Sequence, residues 1–207
     1  MGQEVGEGLS LPLSPPEPLT AAHRLDDFAC GEAELDLWLK RRALANQASG
    51  ASRTFVVTNH DGRVCGYYAM VAGAVSHPLA TTRVRRNMPD PVPVMVLERL
   101  AVDHAMHGQH LGAALLQDAV NRAVAVAGNA GVRALLVHAL HERAKQFYEH
   151  YGVSAVTAAL DDTPAAARRH EGMKIHRVTS ILIPPATVAI VATLPIEQSF
   201  NWGCESG

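Results

Sequence analysis

"VMVLERLAVDHAMHGQHLGAALLQDAVNRA", residues 94–123, decides the fold of this chain. It begins with a largely apolar run over 94–102, which is typical of a strand buried on both faces. A short polar stretch follows, and apolar residues such as Leu111, Leu115 and Ala119 then recur at helical spacing, predicting a helix over 111–127. In such a strand–loop–helix unit the loop amides lie at the carboxyl end of the strand, where helix N-termini bind phosphate. The stretch predicts an α/β chain with a candidate phosphate-binding loop.

Upstream of this unit, the pattern predicts one helix and one hairpin. Residues 31–49 have apolar side chains at helical spacing and are followed by Gly50, a common helix stop. Two strands, 53–59 and 64–75, are joined by a tight turn that contains an Asp-Gly pair. A basic, proline-bounded stretch at 81–93 predicts a loop.

Downstream, residues 132–140 predict a second buried strand, and residues 141–152 predict a short helix that ends at Gly152. The two most apolar strands therefore flank the helix of the opening stretch, as in a chain whose sheet is covered by helices.

Composition narrows the class of protein. The chain has 207 residues, 48% of them hydrophobic, and a net charge of −2, so we expect one domain and no global positive field for nucleic acid. Cys30, Cys65 and Cys204 are far apart and odd in number, which predicts a reducing, cytoplasmic setting rather than a disulfide framework. The acidic start is not a signal peptide, and no stretch is long enough to predict a membrane span, so we expect no membrane contact.

The loop itself has two interpretations. Gly108 and Gly112 permit close approach of a phosphate to the backbone, but a Gly-x-x-x-Gly spacing alone also fits an ordinary tight turn before a helix. His104, His107 and His110 are three residues apart, but their spacing around the loop glycine and the lack of convincing further ligands argue against a metal site. We therefore expect no bound metal.

Several long stretches, in the right order, carry a resemblance to a known family. The opening stretch resembles the acetyl-CoA motif of the GNAT acetyltransferases. "PEPLTAAHRLDDFACGEAELDLWLKRRALANQASGASRTFVV", "GYYAMVAGAV", "RVRRNMPDPVPVMVLERLAVD" and "RALLVHALHERAKQFYEHYG" resemble the GNAT toxins of type II toxin–antitoxin pairs. The resemblance covers about residues 16–152, preceded by a flexible or extended leader whose first 15 residues lie outside the domain. It implies a GNAT fold: a mixed, mostly antiparallel twisted sheet flanked by helices.

The resemblance implies an N-acetyltransferase that uses acetyl-CoA. Strand residues Leu100, Ala101 and Val102 would orient the pantetheine, and the following loop would bind the pyrophosphate. That loop comprises His107, Gly108, Gln109, His110, Leu111, Gly112 and Ala113. His107 and His110 depart from the family pattern, which has Gln or Arg and then Gly, so we expect weakened cofactor binding. Tyr148 would be the catalytic proton donor, with Tyr151 as the rival assignment.

In these toxins the acetyl acceptor is the amino group of an aminoacyl-tRNA, and acetylation blocks translation. The candidate tRNA-binding residues are Lys40, Arg41, Arg42, Arg83, Arg85, Arg86 and Arg99. Such runs are also common on plain solvated faces. The resemblance implies a ribbon-helix-helix antitoxin partner and a homodimer. Two alternatives stay open: an acetyltransferase for a small-molecule or protein amine, and a catalytically impaired copy that retains antitoxin binding.

The resemblance ends after Gly152. In the family a final strand follows, whereas residues 153–207 here are alanine-rich at first and lack a clear strand pattern. Read one base later, the codons permit "GFQRSPLxSMTLLL", which resembles the family ending, so we interpret the tail as the product of a reading-frame shift, partly disordered. A divergent but functional extension is the alternative. Either 178–183 or 187–194 could take the place of the missing strand.

Overall fold

The computed structural model describes residues 13–153 and 188–193. Its strands and α-helices are, in chain order, β1 (Glu17–Pro18), α1 (Ala33–Trp38), α2 (Leu44–Ser49), β2 (Arg53–Thr58), β3 (Val64–Val75), α3 (Thr82–Arg85), β4 (Val92–Val102), α4 (Leu111–Ala130), β5 (Ala134–Ala139), α5 (Glu142–His150) and β6 (Val188–Thr193). A π-helical turn, Leu39–Ala43, joins α1 to α2.

The strands form one sheet in the order β1-β2-β3-β4-β5-β6. β1 with β2, β2 with β3 and β5 with β6 pair antiparallel, while β4 and β5 run parallel, with Val94 opposite Ala134. This is the mixed, mostly antiparallel sheet with flanking helices that the sequence predicted. The chain divides into two compact units, Met1–Val71 with Glu98–Ala119, and Ala72–Leu97 with Val120–Gly207.

In the first unit, β3 packs on both faces. Because side chains alternate along a strand, Tyr67 and Ala69 lie on the face that joins the core built with α1 and the π-helical turn. On the other face, Gly66 lets α4 approach: a Cβ there would lie 2.9 Å from a methyl group of Leu115. Glycine at this position therefore fixes how closely the helix of the loop packs on the strand.

In the second unit, Ala134, Leu135 and Val137 of β5 are fully buried beside β4. The proline-bounded stretch that predicted a loop contains the single-turn helix α3, because the Thr81 hydroxyl accepts a hydrogen bond from the Val84 amide and caps it.

Part of the tail belongs to the sheet. β6 lies within the second of the two stretches predicted to take the place of the last strand, with Val191 opposite Leu136 of β5. The rest of the tail, to which the reading-frame interpretation also refers, and the first 12 residues lie outside the described residues. Within the described part of the chain, no helix is long and apolar enough to cross a membrane.

Candidate active site

The candidate cofactor loop connects β4 to α4 within the first unit. β4 ends at Val102, and a 3-10 turn, His104–Met106, follows directly. The Asp103 carboxylate caps this turn by accepting a hydrogen bond from the Ala105 amide at 3.0 Å. α4 then begins at Leu111, so the loop residues before it stand at the N-terminus of a 20-residue helix.

Two loop residues have left-handed backbone. Gly108 has φ 78° and His110 has φ 56°. A Cβ at Gly108 would have no atom within 4 Å, so the space beside the loop is open there. Histidine tolerates the left-handed region better than most residues, which explains how the loop keeps a glycine-like backbone at His110. The imidazole of His110 is exposed.

Free backbone donors cluster at this helix start. Within the described part of the chain, the amides of Gly108, His110, Leu111, Gly112 and Ala113 donate to no protein acceptor, and the first helical bond runs from the Ala114 amide to the His110 carbonyl. Unpaired amides together with the positive end of the helix dipole make a site for an anionic group such as a pyrophosphate. The residues present therefore fit the phosphates of acetyl-CoA.

Two histidines brace the loop. The His107 ring donates from Nε2 to the Val102 carbonyl at 2.9 Å, which ties the loop back to the end of β4. Its ring also lies 4.9 Å, centroid to centroid, from the ring of His104. Among the described residues, no three His, Cys, Asp or Glu side chains are grouped so that they could hold a metal ion.

Tyr148 lies on α5, in the second unit. It is 5% exposed, and its ring packs edge-to-face on Phe147 at 5.2 Å. Burial raises the pKa of the Tyr148 phenol well above its usual range, so the hydroxyl stays protonated at neutral pH. Tyr151, the rival candidate, follows α5 and is half-buried.

The candidate tRNA-binding residues differ in how exposed their side chains are. Lys40, Arg41 and Arg42 are exposed on the π-helical turn, and Arg83, Arg85 and Arg86 are exposed in and just after α3. The Arg99 side chain is only 16% exposed, pairs with the Glu98 carboxylate, and lies over the Trp38 ring at 4.4 Å. Its guanidinium is engaged within the first unit, and in the second unit the Arg85 guanidinium donates to the His77 carbonyl at 3.4 Å.

Comparison with known proteins identifies the family. The acetyltransferase (GNAT) domain model matches residues 51–153. A tRNA-acetylating toxin of Mycobacterium tuberculosis is 52% identical over 138 residues, which are 67% of this chain and 82% of the relative. This chain belongs to the GNAT acetyltransferases. The acetyltransferase thus has the family and the fold that the resemblance over residues 16–152 implied.

Solved structures agree with this assignment. The acetyltransferase matches AtaT complexed with acetyl-methionyl-tRNAfMet at 28% identity and a TM-score of 0.63, over 68% of this chain and 86% of that one. It also matches a tyrosine-to-phenylalanine mutant of AtaT bound to the C-terminus of the antitoxin AtaR and acetyl-CoA. That match has 28% identity and a TM-score of 0.61, over 70% of this chain and 86% of the other.

The residues that fix the turn before the cofactor loop were not predicted from the sequence. The sequence pattern assigned no role to Asp103 or Arg63, yet their side chains form an ion pair at 2.8 Å. The one available signal was a charged residue directly after a buried strand, which needs a partner.

Proposed function

We propose that this acetyltransferase is a toxin that acetylates the amino group of aminoacyl-tRNA and so blocks translation. The observation that carries the proposal is the 52% identity to a tRNA-acetylating toxin over most of that relative's length. Acetylation removes the nucleophilic amine that peptide-bond formation needs. Aminoacyl-tRNA is used on ribosomes, so we place the activity in the cytoplasm.

The cofactor loop would hold the pyrophosphate of acetyl-CoA. Its five free amides, at Gly108 and from His110 to Ala113, are the donors. The end of β4, at Leu100, Ala101 and Val102, would orient the pantetheine through its backbone. The Gln109 carboxamide donates to the Ala105 carbonyl at 3.2 Å, so it supports the loop from within. Acetyl-CoA, when bound, supplies an activated thioester and a thiolate leaving group.

Tyr148 is the residue we assign as proton donor. Burial keeps its phenol protonated, which is the state that a general acid needs before the reaction. Its hydroxyl would hold the proton that a leaving thiolate requires. Tyr151 is the alternative donor, and a phenylalanine substitution at each position distinguishes the two.

The exposed basic side chains would contact the phosphates of the tRNA. Lys40, Arg41 and Arg42 on the π-helical turn are one group, and Arg83, Arg85 and Arg86 around α3 are the other. Each neutralised phosphate releases counterions, so binding should weaken steeply with salt. Arg99 would act through Trp38 and Glu98 rather than by reaching a phosphate.

The partners follow from the same relatives. Because AtaT binds the C-terminus of the antitoxin AtaR, we propose an antitoxin partner for this chain, of the ribbon-helix-helix type, and a homodimer for the toxin itself. One observation favours an impaired copy instead: His110 stands where the family has glycine. Against it, the His110 backbone keeps the left-handed conformation that a glycine would supply.

Cell-free translation with purified protein tests the proposal. We expect translation to stop only when acetyl-CoA is present, and to continue with Tyr148→Phe. Tyr151→Phe is the matched control and should still stop translation; the reverse pattern would assign the proton donor to Tyr151. Continued translation with the wild type and acetyl-CoA would contradict the toxin proposal.

A further inference from the structure

Asp103 is a buried carboxylate directly before the cofactor loop. It is 2% exposed and lies one residue after the end of β4. Its Oδ1 accepts from the Ala105 amide at 3.0 Å, and its Oδ2 accepts from the Ala29 amide at 3.1 Å. A buried carboxylate needs such donors, because an unpaired one would be strongly destabilising.

Arg63 completes this arrangement. Its Nη2 donates to the Asp103 carboxylate at 2.8 Å and to the Asp27 carbonyl at 3.2 Å. Its Nε is buried and, among the described residues, has no hydrogen-bond partner. An unpaired buried N–H costs free energy, so the two hydrogen bonds of the Arg63 guanidinium only partly offset the cost of burying it.

Asp103 and Arg63 join three segments of the first unit. Ala29 lies in the segment before α1. Its amide donates to the Asp103 carboxylate, and its carbonyl accepts a hydrogen bond from the His104 amide at 2.9 Å. Through the bond from the Asp103 amide to the Cys65 carbonyl, also 2.9 Å, they reach β3. The third segment is the 3-10 turn that leads into the cofactor loop. The turn is therefore fixed from two sides before the chain reaches Gly108.

The direction of the free amides depends on this turn. The loop is exposed from His107 to His110, so its orientation depends on its two ends and on the His107 ring, which bonds the Val102 carbonyl. One end is α4, and the other is Asp103. The desolvation cost of a buried carboxylate offsets much of the attraction in such an ion pair, but the pair still holds the Asp103 carboxylate in one position.

We propose that Asp103, held by Arg63, is a positioning residue that aims the loop amides at the pyrophosphate of acetyl-CoA and thereby sets the affinity for acetyl-CoA. The inference rests on the proposed use of acetyl-CoA. It assigns no contact between Asp103 and the reacting atoms.

Calorimetric titration of acetyl-CoA into the purified protein tests this without any acceptor. Asp103→Asn keeps the side-chain shape but leaves one acceptor oxygen where there were two, and Arg63→Met removes the ion pair while keeping a similar apolar stem. We expect each to raise the Kd for acetyl-CoA about tenfold, as the loss of one buried hydrogen bond would. The double variant should bind acetyl-CoA no more weakly than the weaker-binding of the two single variants.

Matched controls lie on the neighbouring exposed pair. Asp27 and Arg24 form an ion pair at 3.6 Å with both side chains largely exposed, and Asp27 meets Arg63 only through its backbone carbonyl. Asp27→Asn and Arg24→Met should leave the Kd unchanged. Hydrogen exchange of the amides at 105–107, which are hydrogen-bonded within the 3-10 turn, should become faster in Asp103→Asn and in Arg63→Met, but not in the controls.

The outcomes separate positioning from a merely structural role. A lower Tm with unchanged Kd and unchanged exchange at 105–107 would overturn the inference. If Asp103→Asn does not fold, Arg63→Met decides in the same way. A wild type that binds no acetyl-CoA would overturn the proposed function as well, whereas tight wild-type binding with unaffected variants overturns this inference alone.

Discussion

At the scale of single residues, His110 is the clearest departure from the family pattern. Its φ of 56° places a residue with a Cβ in the left-handed region, which costs about 1 kcal/mol relative to glycine. We expect His110→Gly to be more stable than His110→Ala by about 1 kcal/mol in denaturant unfolding, because only alanine keeps the Cβ. Equal stability of the two variants would contradict a left-handed backbone at this position.

The same pair of variants separates backbone from ring. Both remove the imidazole, so a gain in acetyl-CoA affinity shared by Gly and Ala would come from the ring, and a gain confined to Gly would come from the backbone. Calorimetry of acetyl-CoA binding measures both.

Tyr148 gives a prediction about pH. Burial raises its pKa in the folded protein above the value of about 10 in the unfolded chain, so the folded state holds the proton more tightly. The contribution of Tyr148 to stability is therefore fully present below pH 10 and is lost as the pH rises further. Relative to Tyr148→Phe, the wild type should lose about 1.4 kcal/mol of unfolding free energy per pH unit above 10.

Denaturant unfolding of both proteins between pH 8 and 11 measures this difference. Other buried tyrosines, such as Tyr67, are common to both and cancel. A stability difference that does not change with pH over this range would mean that Tyr148 is not buried in solution.

Site residues that are close together in sequence were easier to predict than residues that only the fold brings into contact. The spacing of the sequence placed Gly108 and His110 in the loop because they are neighbours along the chain. Arg63 and Asp103 are 40 positions apart, and only the fold brings them together. No pattern of charge or periodicity in a single sequence encodes that contact.

At the scale of elements, the basic stretch 76–91 between β3 and β4 is held together by several hydrogen bonds of its own. His77 closes it: its amide donates to the Asp90 carboxylate at 3.0 Å, and its Nε2 lies 3.1 Å from the Met88 carbonyl and 3.0 Å from the Pro89 carbonyl. Since both carbonyls are acceptors, Nε2 carries the hydrogen. Within the same unit, the Arg133 side chain donates to the Arg83 carbonyl at 3.3 Å, which ties α3 to the residue before β5.

We expect His77→Ala to weaken tRNA binding by releasing α3 and its arginines. The KM for aminoacyl-tRNA should rise severalfold while the Kd for acetyl-CoA stays unchanged, because the bonds of His77 to Asp90, Met88 and Pro89 all lie within the stretch 76–91. His60→Ala is the matched control, since His60 is exposed on the β2–β3 turn beside Asp61. An equal rise for both histidine variants, or none for either, would contradict a role of this segment in tRNA binding.

The elements show where periodicity is informative. The helix over 31–49 was predicted from its apolar spacing and is present as α1, the π-helical turn and α2. The π-helical turn was not predicted, because one wider turn barely changes the spacing of buried residues. α3 was also missed, since a four-residue helix is set by the Thr81 cap and not by a periodic apolar face.

At the scale of the whole molecule, the sequence predicted the family, the mixed sheet and the order of the main elements. These rest on long stretches in sequence order, which a single chain contains in full. The last strand was predicted only as a choice between two apolar segments, and β6 lies in the second. The tail has no periodic pattern that would identify one of these segments as the last strand. The pairing of β6 with β5 identifies the second.

Acetyl transfer to aminoacyl-tRNA tests the proposed toxin activity most directly. Purified protein is incubated with acetyl-CoA and a set of aminoacyl-tRNAs, and the aminoacyl-adenosine released by nuclease is weighed by mass spectrometry, with Tyr148→Phe in parallel. We expect one added acetyl group on the α-amine of at least one aminoacyl-tRNA, and little or none with the variant. Unmodified aminoacyl groups throughout, from a wild-type protein that binds acetyl-CoA, would contradict it.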